Sequence, residues 1–137
     1  MPSFDQCHDQ IMRALEKSGW RITDQQVLMK VGRRRVFIDL HATHAANGSR
    51  EEIILVEVKC FPELQNTAQE IYTAVGQYII YRAMLQELEL DIPLYLSVPE
   101  AIFNTVFDRP VQRAIRQSQI KVIVVNLDEE KIVQWNG

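Results

Sequence analysis

The run Ile53-Ile54-Leu55-Val56-Glu57-Val58-Lys59-Cys60 constrains the fold more than any other stretch of the chain. It is short, rich in β-branched residues and bounded by polar residues, which predicts a strand. Side chains alternate faces along a strand, so Ile54, Val56, Val58 and Cys60 make one wholly apolar face. Ile53 and Leu55 begin the other face, and Glu57 and Lys59 take it over. A strand apolar on both faces is normally central and covered on both sides. A carboxylate and an ammonium placed there are costly unless they pair or bind a metal. A partly buried Glu57–Lys59 ion pair at the strand end is the simplest account.

The run before it, Val36-Phe37-Ile38-Asp39-Leu40, also reads as a strand. Asn47-Gly48 between the two is a turn signal, so the pair is expected to form an antiparallel hairpin. Asp39 then lies where its carboxylate could meet Glu57 across neighbouring strands.

The remaining chain supplies layers for this hairpin. Ser3 to Lys17 reads as a helix, with Ser3 as N-cap, an apolar face through Phe4, Cys7, Ile11, Ala14 and Leu15, and Gly19 just past its end. Trp20 to Thr23 and Leu28 to Val31 read as short strands, the second turning at Gly32 into Val36. Thr67-Ala-Gln-Glu70 has capping-box form, and a helix is expected from there to about Leu88, with Ala68, Ile71, Tyr72, Val75, Tyr78, Ile79, Arg82, Leu85 and Leu88 along its stripe. Leu94 to Val98 is a strand, and strand–long helix–strand predicts a parallel crossover. Pro99 and Pro110 each start a short helix, to about Phe107 and Ser118. Lys121 to Asn126 and Lys131 to Trp135 are strands joined by an acidic turn. The order α-β-β-β-α-β-α-α-β-β is α/β in the mixed α+β sense, a central mixed sheet flanked by helices.

Length suits one domain, residues 1–137, with a proper core. No apolar run approaches a membrane span and no signal-peptide pattern opens the chain, so a cytoplasmic protein with no membrane partner is expected. Cys7 and Cys60 suggest neither a metal spacing nor a disulfide framework. The net charge of −3 excludes a general polyanion binder. Any nucleic-acid contact must rest on a local patch, and Lys30, Arg33, Arg34 and Arg35 form the concentrated one. A solvated hairpin turn around Gly32 and a phosphate-contacting edge both suit that patch.

Asp39, Glu57 and Lys59 together resemble the signature of the PD-(D/E)XK, or restriction-endonuclease-like, nuclease superfamily, with Ile38 where the proline would stand. The topology read above is similar to its αβββαβ core. Gln77-Tyr-Ile-Ile-Tyr81 resembles the Q-x-x-x-Y motif of related nucleases, and its two polar residues share a helical face; two ordinary positions on a core-facing helix would look the same. Over nearly the whole chain, His8-Asp9, Lys30-Val-Gly-Arg33, Phe37 to Leu40, Val56 to Lys59, Gly76 to Arg82, Leu94 to Leu96 and Val133-Gln-Trp135 resemble the XisH family. These are cyanobacterial proteins named as controlling factors for excision of the fdxN element, a programmed DNA rearrangement.

The resemblance implies a set of roles. Asp39 and Glu57, with the Val58 carbonyl, would bind Mg²⁺ or Mn²⁺, and Lys59, Gln77 and Tyr81 would complete a catalytic site. Many nucleases of this fold place a glutamate on the first helix; aligned through Leu15 and Gly19, that position is His8, with Asp9 beside it. A helix residue satisfied by a local hydrogen bond is the other account of His8. His41 and His44, flanking Asp39's strand, are further candidate ligands. Implied partners are DNA, an XisI-like companion and an XisF-like site-specific recombinase, and a homodimer suits two-fold DNA chemistry. Three functions stay open: a metal-dependent DNA endonuclease or nickase, a non-catalytic accessory factor on the same fold, and an interaction subunit whose carboxylates are structural.

Overall fold

The computed structural model describes residues 7–45, 50–61 and 67–136. Six strands form one mixed sheet whose spatial order follows the chain: β1 (Arg21–Val31), β2 (Arg34–Ala45), β3 (Glu51–Val58), β4 (Leu94–Pro99), β5 (Lys121–Asn126) and β6 (Lys131–Asn136). β1 to β3 are antiparallel, β3 to β5 parallel, and β6 returns antiparallel to β5. α1 (His8–Lys17) precedes the sheet, α2 (Thr67–Glu87) carries the crossover from β3 to β4, and α3 (Glu100–Thr105) and α4 (Arg109–Gln117) link β4 to β5. This is the expected mixed α+β class.

β3 is covered on both faces, as its pattern demands. Ile54, Val56 and Val58 pack with Ile11, Ala14 and Leu15 of α1. Leu55 faces the other way, into a cluster with Ile71, Tyr78 and Leu85 of α2 and Ile115 of α4. β4 and β5 divide in the same manner: Leu96, Val98, Val122 and Val124 face α2, while Tyr95, Ile123 and Val125 face α1. Each fully buried aliphatic side chain contributes roughly 1.5–3 kcal/mol, so this double-sided burial is the main stabilising term.

α1 ends in a Schellman turn. Trp20 N–H donates to Leu15 O and Gly19 N–H to Glu16 O, both at 3.0 Å. Gly19 has φ +95°, which favours glycine, and a Cβ there would lie 3.0 Å from His44 Nε2, so the His44 ring would have to shift to admit one. α4 starts on Asp108, whose carboxylate accepts Val111 N–H at 3.1 Å, with Pro110 in the first turn.

Several expectations need correcting. The two short strands before Gly32 are one long strand, β1, with a register shift between Ile22 and Asp24. β1 is an edge strand, so its polar middle needs no apolar alternation. The stripe on α2 is narrower than expected: Ile71, Ala74, Tyr78, Met84 and Leu85 are buried, whereas Tyr72, Ile79 and Leu88 are exposed. Arg82 is used differently, donating to Ser118 O at 2.7 Å and Gln119 O at 3.1 Å and so covering the open carbonyls at the end of α4. Cys7 and Cys60 form a disulfide, contrary to the reading of the sequence. They are 53 residues apart and meet because α1 lies on the apolar face of β3 that Cys60 prolongs. Ser3 and the Asn47-Gly48 turn fall outside the described residues.

Candidate functional site

The site arises where β2 and β3 stop pairing. Their ladder runs from Ala45–Glu51 to Leu40–Val56, and Asp39–Glu57 would be the next rung. Side chains replace it. Asp39 Oδ2 accepts Val58 N–H at 2.7 Å, and Glu57 Oε1 accepts Asp39 N–H at 3.2 Å. On the β1 side the same position is also irregular. Gln26, between the paired rungs Gln25–Leu40 and Val27–Ile38, has φ +55°. A glutamine held there is a local strain of the kind that gathers at functional positions. Its Nε2 lies 3.5 Å from Asp39 Oδ1. β2 changes sides at this point: Val36 and Ile38 pack towards α2, while Leu40 and Ala42 pack towards α1, although all four share one parity. The irregularity turns the strand and leaves the Asp39 carboxylate facing Glu57.

Glu57 is 5% exposed. Burial pushes its carboxyl up from 4.5 to about 8, and the Asp39 charge pushes the same way. Lys59 pulls it down less strongly, with Nζ 3.7 Å from Glu57 Oε2. Tyr81 of α2 shares this corner: burial raises its phenol, and the Glu57 and Asp39 charges add to the rise. Gln77 lies one helical turn earlier on the same face. Its Oε1 is buried with no hydrogen-bond partner among the described residues, as is Oε1 of Gln26. The corner therefore holds two converging carboxylates, one ammonium, one phenol and the Gln26 amide, with Gln77 on the helical face that carries Tyr81.

The other candidates have settings of their own. His8 is buried, with Nε2 3.1 Å from Gln25 Oε1, a hydrogen-bonded setting on the α1 side. Asp9 is exposed. His41 hydrogen-bonds Thr23, and the His44 ring lies 5.1 Å from that of Trp20. Among the described residues no three His, Cys, Asp or Glu side chains are grouped to hold a metal. Val58 contributes its N–H, which fixes Asp39. Lys30, Arg33, Arg34 and Arg35 occupy the tip of the β1–β2 hairpin, where Gly32 has φ +58° and Lys30 pairs with Arg35. All four are exposed, roughly 13–20 Å from Asp39 at 3.3 Å per strand residue.

The donor chemistry suits a hard divalent cation. Magnesium takes one or two carboxylates and leaves its other positions to water and phosphate oxygens, so a dicarboxylate corner is a sufficient protein contribution. A cation there would hold Asp39 and Glu57 ionised together, which burial alone opposes. The orphaned amide oxygen of Gln26, whose Nε2 lies beside Asp39, could accept a hydrogen bond from water bound at the same place.

Comparison with known proteins agrees with this architecture. Residues 1–133 match the family described as XisH protein. The chain belongs to the XisH family. A crystal structure of an XisH family protein from Nostoc punctiforme PCC 73102 superposes with a TM-score of 0.85 at 34% identity, covering 97% of this chain and 100% of that one. A second, of an fdxN element excision controlling factor protein from Anabaena variabilis, gives 0.83 at 34% identity, covering 95% of this chain and 97% of that one. A comparison with curated proteins gives no match. Within this XisH fold, reading the sequence missed Gln25 and Gln26. The available signal was a polar Asp-Gln-Gln step interrupting a strand, a mark of irregular backbone.

Proposed function

We propose that this XisH-family protein carries a PD-(D/E)XK-type, metal-dependent nuclease site and acts on DNA during excision of a genetic element. The observation that carries this reading is the meeting of Asp39 and Glu57 at the missing rung of the β2–β3 ladder, with Lys59 Nζ 3.7 Å from Glu57. Its context is the similar protein from Anabaena variabilis, described as an fdxN element excision controlling factor.

Asp39 and Glu57 would hold Mg²⁺ or Mn²⁺. A cation held by these two carboxylates would supply a more acidic water and charge to offset that of the scissile phosphate. The chain's own groups do the rest. Val58 N–H fixes the rotamer of Asp39, so the carboxylate is positioned before substrate arrives. Lys59, anchored by β3, presents an ammonium that stabilises charge growing on the phosphate. Tyr81 keeps its proton, because its phenol is raised, and so offers a donor. The Lys30–Arg35 tip supplies phosphate contacts that position a duplex without reading its sequence. An XisI-like companion and an XisF-like recombinase are the partners this role would require.

A non-catalytic accessory role is the second reading. It is favoured by the in-chain donors already placed on both carboxylates and by the lack of a third grouped ligand among the described residues. One experiment separates the two. Supercoiled, linear and branched DNA are incubated with purified protein and Mg²⁺ or Mn²⁺. The enzyme reading expects metal-dependent nicking that Asp39→Asn and Glu57→Gln each abolish while circular dichroism stays unchanged. DNA that is bound but left intact by the wild type under every metal condition assigns the accessory role instead.

A further inference from the structure

The sheet is covered unequally. α2, α3 and α4 lie on one face, but among the described residues only the ten-residue α1 lies on the other. At 1.5 Å per residue α1 spans about 15 Å. Beyond its C-terminal glycine the floor of this face becomes aromatic. Trp20 and Trp135 stack with centroids 5.7 Å apart and planes 13° apart, and Tyr95 lies 5.0 Å from Trp135. Together they floor a cleft of about 470 Å³. Trp135 remains 36% exposed and Ile53 beside it 38% exposed. The rim is acidic: Glu51 and Glu52 open β3 and Asp91 precedes β4, while the nearby Lys121 Nζ lies 5.9 Å over the Tyr95 ring, on the floor and outside the residues that line the cleft. Arg21 reaches Glu51 at 3.6 Å, an exposed pair, whereas Glu52 and Asp91 have no ion-pair partner among the described residues.

We propose that this cleft is a docking site for a protein partner that inserts an arginine or lysine side chain over Trp135. Aromatic faces attract cations, and a guanidinium also stacks on indole. Three carboxylates at the rim complement that charge and repel phosphate, so the same surface disfavours nucleic acid. Exposed stacked tryptophans are also what an interaction hot spot is made of. The cleft lies at the start of β3, whereas Glu57 and Lys59 lie at its end. Glu52 and Glu57 are five residues apart on β3, roughly 17 Å at 3.3 Å per residue, so a partner docked here leaves the Asp39–Glu57 corner open.

Trp20 and Trp135 are the only tryptophans in the chain, so intrinsic fluorescence reports on this cleft directly. The test titrates the full chain with a hexa-arginine amide, and separately with a hexa-glutamate and a duplex oligonucleotide. The expected result is a saturable tryptophan change with the arginine peptide alone, weakened at least tenfold in Glu52→Gln/Asp91→Asn. Asp128→Asn/Glu129→Gln removes two exposed charges at the opposite end of β6 and is expected to leave the affinity within twofold. No saturable change in the wild type overturns the proposal. So does equal weakening by the two double variants, which would mean general attraction to an acidic protein, and so does a saturable change driven by the oligonucleotide.

Discussion

Replacing Glu57 with glutamine should stabilise the folded protein at alkaline pH and do little in acid. Glu57 has a folded value near 8 against an ordinary 4.5, with burial as the main cause. Ionising it in the folded chain therefore costs on the order of 4 to 5 kcal/mol, at about 1.36 kcal/mol per pH unit. The sign follows from which state holds the proton. Because the folded value lies above the unfolded one, Glu57 contributes its full stability below about pH 4.5. That contribution is lost as pH rises towards 8, where the buried carboxyl must ionise. The substituted glutamine does not titrate, and its amide oxygen can still accept Asp39 N–H. It gives up the contact with Lys59, worth about 0–1 kcal/mol for a partly exposed pair. The expected net gain is about 3–5 kcal/mol at pH 9 and near zero at pH 4. For a domain of this size that is a rise in Tm of roughly 10–20 °C. Urea melts followed by circular dichroism in chelator, at several pH values from 4 to 9, measure it directly. A difference independent of pH, or a variant less stable than wild type at pH 9, would refute the reasoning.

Two further predictions concern the frame. Tyr78 is buried, donates to Leu94 O at 2.6 Å and accepts Lys121 N–H at 3.2 Å, tying the starts of β4 and β5 together. Tyr78→Phe leaves both backbone groups without that partner and should cost roughly 2–4 kcal/mol in denaturant melts, with the spectrum of the folded state unchanged; a loss under about 1 kcal/mol would show that water replaces the hydroxyl. The Cys7–Cys60 link closes a segment of 53 residues. A thiol reductant should therefore lower unfolding stability by about 4 kcal/mol, and a melt unmoved by reductant would show that the link is not formed in solution.

What the sequence made legible followed from local rules. Glycine and proline punctuate the chain at Gly19, Gly32, Pro99 and Pro110, and the helix ends and the hairpin turn fall beside them. The two apolar faces of Ile53–Cys60 required a central strand covered on both sides, and β3 is that strand. The spacing of Asp39 and Glu57 predicted their meeting, because antiparallel register is set by the hairpin between them. What stayed hidden depended on tertiary context. β1 reads as two fragments because an edge strand tolerates polar residues on either face. α2 carries apolar residues on every side, so the stripe expected from its sequence was too wide, and the burial of Tyr78 rather than Tyr72 is decided by the sheet beneath it. The disulfide joins residues that no local pattern relates. The strained Gln26 shows in the sequence only as the polar Asp24-Gln25-Gln26 step, which does not say which residue takes the positive φ.

If Asp39 and Glu57 form the proposed cation site, binding of the ion must displace the proton that burial leaves on Glu57 near neutral pH. The direct measurement is calorimetric titration with Mn²⁺ at about pH 7 in two buffers of different ionisation enthalpy. It should show saturable binding with close to one proton released per ion, and release falling towards zero at about pH 9.5, where Glu57 is already ionised. Asp39→Asn and Glu57→Gln should each weaken or abolish it. An absence of binding, or binding at neutral pH with no proton released, contradicts the assignment of this corner as a metal site.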